Sequence, residues 1–181
     1  EERFDASASG WSVATAVLND PMFTLVGAFP ATWIDTGGNP GGFIRQSDPD
    51  GAISFWKAPA SFLGDWSAAY GGVLSFDQDQ SATNSQIHTK DVVLQGAGLT
   101  LMLETPYNPE TRWSRMHVLL APGGGWRIDS LGGAVPTPSQ MQAALADVTA
   151  LYLRAEFRSG ADVNGLDNVV VRGPSAPAPS C

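Results

Sequence analysis

Cysteine is almost missing from this sequence: the one example, Cys181, is its last residue. No internal disulfide can form, so the fold rests on packing, with a bound metal as the remaining help. A lone terminal thiol is free, bridges to another molecule, or marks only where the chain ends. Basic residues are also scarce. Ten Lys and Arg face eighteen Asp and Glu, a formal charge of −8, which argues against nucleic acid or anionic membrane and suits a divalent cation or a neutral ligand. Histidine is limited to His88 and His117. No zinc-protease, serine-hydrolase, phosphate-loop or dinucleotide pattern occurs. Two carboxylates alone can hydrolyse a glycosidic bond, but eighteen acids place some pair at that spacing by chance. A calcium-assisted glycan hydrolase or lyase has nothing further behind it. No run of 18 apolar residues exists to span a bilayer as a helix. The first residue is Glu1 and not Met, which reads as a processed N-terminus, most simply a removed secretory signal.

What the sequence does hold is a hydrophobic fraction of 43%, twenty Gly and thirteen Pro. That is enough for one packed domain with many turns and little helix. Two-residue periodicity dominates. Stretches beginning near residues 10, 41, 51, 71, 90, 98, 112, 150 and 166 read as strands, each bounded by Gly, Pro, Asn or Asp. Nine to eleven strands with short turns predict an all-β jelly-roll or sandwich over residues 1–172. One short crossover helix is expected near 138–148. Thr137 and Gln140 form a Thr-x-x-Gln capping box around Pro138, and Met141, Ala144, Leu145 and Val148 share a face. Residues 173–181, GPSAPAPSC, form a tail of linker composition that favours extended conformations.

The segment FWKAPASFLGDWSAAYGGVLSF (55–76) resembles the opening of the laminin IV domain, also called laminin B, where an aromatic-x-x-Ala-Pro-x-x-Phe-Leu-Gly run leads to Tyr-Gly-Gly and a strand. KDVVLQGAGLTLML (90–103) is similar to a strand pair of the same family, and LYLRAEF (151–157) with GLDNVVV (165–171) to its closing strands. The resemblance spans roughly residues 4–172. It implies a jelly-roll β-sandwich like those of carbohydrate-binding modules, secreted and extracellular, without catalysis. The cysteine-rich repeats that flank the domain in laminins are not in this sequence, so their matrix role does not transfer by itself.

Sandwiches of that kind often fasten their first and last strands with calcium, which takes carboxylate and carbonyl oxygens. The matching acids are Asp5 and Asp167. The plainer alternative is that Asp5 caps a turn and Asp167 accepts from the backbone near Asn168. Asp48 and Asp50 form a looser candidate loop that equally suits a Pro-Asp-Gly turn. Alternation along LSFDQDQ and RWSRMHVLL turns Asp77 and Asp79, and Trp113, Arg115 and His117, away from the core. If the two strands are neighbours, these five would make a sugar-binding face. Of the six tryptophans, Trp66, in FLGDWSAAY, is expected to be exposed and so to mark a contact. The rest of residues 55–80 reads as architecture.

Two functions compete. One is a structural or adhesive module of an extracellular matrix, self-assembling through its tail and Cys181 or contacting other matrix components. The other is a carbohydrate-binding module that uses Trp113 or Trp66 as its platform.

Overall fold

A computed structural model describes residues 1–175 of the chain; the end of the tail, residues 176–181 with Cys181, lies outside the described residues. The strands are β1 (Ser12–Ala16), β2 (Leu25–Pro30), β3 (Thr32–Gly38), β4 (Gly41–Ser47), β5 (Ile53–Lys57), β6 (Val73–Gln80), β7 (Val92–Gly96), β8 (Leu99–Leu103), β9 (Ser114–Leu119), β10 (Arg127–Ile128), β11 (Val148–Arg154) and β12 (Val163–Arg172). They form a seven-stranded sheet, β10-β8-β7-β11-β5-β1-β2, and a five-stranded sheet, β3-β4-β12-β6-β9. Every pairing is antiparallel. The architecture is the expected β-sandwich.

Period-two alternation builds the space between the sheets. Val13, Trp56, Leu94 and Leu151 meet Ile44, Leu74, Phe76, Met116 and Leu166 in one buried cluster. A second apolar cluster, with Phe55, Val93, Met102 and Tyr152, is covered by Leu18, Phe23 and Leu131. Phe23 stands edge-on to Phe55 at 5.0 Å. Because both faces of β5 are covered, Ile53–Trp56 is buried without a break. The five-stranded sheet differs, since its outer face carries polar side chains.

Twelve strands exceed the nine to eleven expected. β2, β3 and β10 are the additional ones, because Gly, Pro or extreme brevity hides their alternation. The helix α1 spans Pro138–Ala146, shorter than expected, and its capping box is present: the Gln140 N–H donates to Thr137 Oγ1 at 3.2 Å and the Thr137 N–H to Gln140 Oε1 at 2.9 Å. It buries Met141, Ala144 and Leu145. Val148 belongs instead to β11, where it pairs with Gly64.

Trp66 overturns an expectation. It is 8% exposed, within the main cluster. Its backbone N–H reaches the Leu145 carbonyl at 2.7 Å, and its ring stands edge-on to Phe62 at 5.9 Å. Phe62 in turn meets Trp11 at 5.3 Å. The indole that a turn sequence would leave in solvent is drawn inward by α1 and this aromatic chain, so it offers no platform.

Candidate ligand-binding face

The outer face of the five-stranded sheet gathers most of the polar candidates of β6 and β9. These two strands are neighbours, with Asp77 opposite Arg115 and Ser75 opposite His117. Asp77, Asp79, Arg115 and His117 therefore share one face, and Trp113 joins them just before β9. β12 lies between β6 and β4 and adds Gly165 and Asp167; β4 adds Phe43 and Arg45.

The centre of this face is closed. Asp77 was expected on an open surface, yet it is fully buried. The β3–β4 hairpin folds over it, and Asn39 at the hairpin tip donates its side-chain amide to Asp77 Oδ2 at 3.1 Å. The Asn168 amide reaches the same oxygen at 2.8 Å. Arg115 grips both carboxylate oxygens, with Nη2 at 2.9 Å from Oδ2 and Nε on Oδ1. Asp167 is likewise buried and occupied: the Asn39 N–H donates to Oδ2 at 2.6 Å and the Asn168 N–H to Oδ1 at 2.7 Å. Burial, helped by the charges of Asp77 and Asp5 and opposed by those two N–H groups, pushes the Asp167 carboxyl up to about 6. Gly38 is required here, because a Cβ would stand 2.4 Å from the Gly42 carbonyl and 2.8 Å from Asp167 Oδ2.

Asp5 is exposed beside the hairpin, close enough to Asp167 for its charge to act there. The structure thus brings the two acids to one neighbourhood. Asp167 uses its oxygens as the plainer sequence reading has it, on the Asn168 backbone among others. Among the described residues no three His, Cys, Asp or Glu side chains form a group able to hold a metal ion.

One end of the face is open. Phe43, Arg45, Asp79, Thr111 and Gly165 border a cleft of about 360 Å³, within the range of small-ligand sites. Gly165 lets three side chains converge, since a Cβ there would meet Asp79 Oδ1 at 2.6 Å, the Trp113 ring at 2.7 Å and the Phe43 ring at 3.2 Å. Trp113 is half-buried, edge-on to Phe43 at 5.3 Å, and its Nε1–H donates to the Gly37 carbonyl at 2.9 Å. Asp79 accepts the Gly165 N–H at 2.8 Å. Burial pushes its carboxyl up, against that N–H and the Arg45 charge. Aromatic edge, carboxylate, guanidinium and hydroxyl in one cleft can hold a polyhydroxylated ligand by apolar contact and hydrogen bonds. His117 is exposed at the other end of the sheet, beside a separate cleft with Ser75 and Arg172. The structure does not bring it to the cleft of Phe43, Arg45 and Asp79. Sequence reasoning missed Phe43 and Arg45. Their signal was the outward alternation of β4, but nothing local shows that β12 links β4 to β6.

A model of the family described as Laminin B (Domain IV) matches residues 55–176. The chain is 31% identical over 136 residues to laminin subunit gamma-1 of Xenopus tropicalis, a match covering 68% of this chain and 8% of that protein. It is 25% identical over 130 residues to basement membrane proteoglycan of Caenorhabditis elegans, covering 71% of this chain and 4% of that protein. The chain therefore spans less than a tenth of the length of these curated relatives. In structure it is similar to the L4b domain of human laminin alpha-2, with a TM-score of 0.69, 13% identity, and 94% and 96% of the two chains covered. It is also similar to the family 11 carbohydrate-binding module of cellulosomal cellulase Lic26A-Cel5E of Clostridium thermocellum, with a TM-score of 0.55, 13% identity, and 96% and 92% covered. At such identities these two likenesses speak for the fold alone.

Proposed function

The chain belongs to the laminin B (domain IV) family, and on that premise we propose that it is a non-catalytic module of an extracellular, matrix-type protein. It works by presenting a rigid surface to other matrix components. Family membership carries this reading, and the geometry is compatible with it. At the centre of the outer face, Asp77, Asp167 and Arg115 are committed to holding the β3–β4 hairpin and not to turning over a substrate. In its finer form, copies associate through the tail and Cys181. Light scattering of the full chain with and without reductant tests this: larger species that revert to monomer on reduction support it. A strict monomer at high concentration in both conditions removes self-assembly and leaves heterologous contact.

The cleft of Phe43, Arg45 and Asp79, with Trp113 packed beside it against Phe43, favours a second reading, binding of an extracellular glycan. The relevant surface is the Phe43, Arg45, Asp79 and Trp113 end of the sheet, without Asp77 or Trp66. A glycan array should give hits that Asp79→Ala and Trp113→Ala both abolish. Hits that survive both substitutions, or none at all, count against it.

A further inference from the structure

The space between the sheets is not apolar along its whole length. Beyond Ile44 and Trp56 the inward positions of β4 and β5 become Gln46 and Ser54. These are buried together with Glu156, Asp162 and Asn164, all at 7% exposure or less. Asp48 and Asp50, from the β4–β5 connection, adjoin them. Four carboxylates share this end, and none of them makes an ion pair among the described residues.

Two of the four are served by internal donors. Asp50 accepts the Thr15 hydroxyl at 3.0 Å and the Ala52 N–H at 2.9 Å. Asp162 accepts the Ser81 hydroxyl at 2.8 Å, the N–H groups of Phe157 and Val163 at 3.0 and 2.9 Å, and the Asn164 amide at 3.2 Å. The other two are poorly served. Asp48 Oδ1 is buried without a donor, and Glu156 takes one N–H, from Ser54 at 3.1 Å.

Neutral oxygens at the same place are bare as well, and they are the independent observation. Ser54 is fully buried and its Oγ has no partner. It faces the acids, because it is the cross-strand neighbour of Thr15, whose hydroxyl bonds Asp50. Gln46 is 5% exposed and lies two residues before Asp48, which directly follows the end of β4. It donates Nε2 to Asn164 Oδ1 at 3.1 Å and to the Ala155 carbonyl, and its Oε1 has no partner. A buried acceptor without a donor is costly, and buried like charges without a counter-charge more so. Protonation would relieve a carboxylate and give it one O–H, which serves one neighbouring oxygen at most. A hard cation satisfies carboxylate, amide and hydroxyl oxygens together, the mixed donor set that calcium accepts. A site of two acids and neutral oxygens also agrees with the lack of any three-acid group among the described residues.

We propose that Asp48 and Glu156, with Ser54 Oγ and Gln46 Oε1, bind a calcium-type divalent cation that ties the β4–β5 connection to the chain between β11 and β12. Chelator-treated full chain is titrated with CaCl2 alone and followed by calorimetry and by thermal unfolding. The wild type should bind one ion at this site, and its Tm should rise with calcium concentration. Asp48→Asn and Glu156→Gln should each weaken binding by roughly tenfold or more and lose the rise, whereas Asp167→Asn keeps both. Glu156→Gln preserves shape and can still accept the Ser54 N–H, so it should melt no lower than the wild type in chelator; a loss of binding then reports the site and not unfolding. No heat and no Tm change up to about 5 mM calcium, above the range of extracellular calcium modules, would overturn the proposal. Binding unchanged in both Asp48→Asn and Glu156→Gln would overturn it too. So would binding lost only in Asp167→Asn, which would place the ion at Asp5 and Asp167.

Discussion

Asp77 and Glu156 are carboxylates buried in the same small sandwich, and the chain treats them in opposite ways. Asp77 is met by a guanidinium and two side-chain amides drawn from β9, the β3–β4 hairpin and β12. Glu156 has one backbone N–H and three other acids for neighbours. Burial and the nearby Asp48 charge push its carboxyl up to about 7. The first group holds structure together wherever it is ionised. The second is at ease only with a proton or a cation. Burial alone therefore does not tell whether an acid stabilises the fold; its partners do.

The sharpest way to break this contrast is at the satisfied end. Asp77→Ala leaves Arg115 and the Asn39 and Asn168 amides without their acceptor. It should cost about 3 kcal/mol in denaturant unfolding, the low side of the range for buried pairs because Arg115 is partly exposed. At the other end the sign reverses. In chelator at pH 8, Glu156→Gln should stabilise the fold by roughly 1–3 kcal/mol; a loss of stability would mean that the ionised carboxylate has a partner there.

pH sharpens the same comparison. Glu156 and Asp167 both hold their protons more tightly folded than unfolded, with pKa values raised from 4.5 to about 7 and from 3.8 to about 6. Their contribution is complete below about pH 4 and is lost as pH rises through those folded values. Calcium-free stability should therefore fall between about pH 4 and pH 7 and level off above, by up to about 3 kcal/mol from Glu156. Glu156→Gln should flatten the upper part of that curve, as read from denaturation midpoints across pH. The smallest effect belongs to the cleft. Trp113→Phe removes the Nε1–Gly37 bond but keeps an aromatic edge, so it should cost about 1 kcal/mol. A negligible change there would show that the indole does not pin the hairpin.

The strands that alternate cleanly are legible in the sequence because one of their faces is apolar and the other polar. That alternation alone turns Asp77 and Asp79 on β6, and Arg115 and His117 on β9, away from the core; that they share one face follows only from the pairing of β6 with β9. The burial of Asp77 is not legible, since it depends on Asn39, 38 residues away in sequence. Trp66 misleads because its turn-like neighbours suggest solvent, while Leu145 and Phe62 decide its position. Phe43 and Arg45 are hidden by strand order, which no local pattern encodes. For Gln46 and Ser54 a signal does exist: each is a polar residue at an inward position, in step with Ile44 and Trp56. Neither carries a charge, so neither stands out as a candidate ligand until both are found buried beside Glu156.

Glu2 and Val169 exchange two backbone hydrogen bonds, at 2.8 and 2.9 Å, in an antiparallel bridge. The incoming and outgoing chain thus run side by side and leave in the same direction. A module built this way can be grafted into a loop of a host protein without stretching it. Under tension along such a host, force would meet this short bridge first and peel it open bond by bond. The two sheets would hang to the side of the loaded path, like a pendant on a cord.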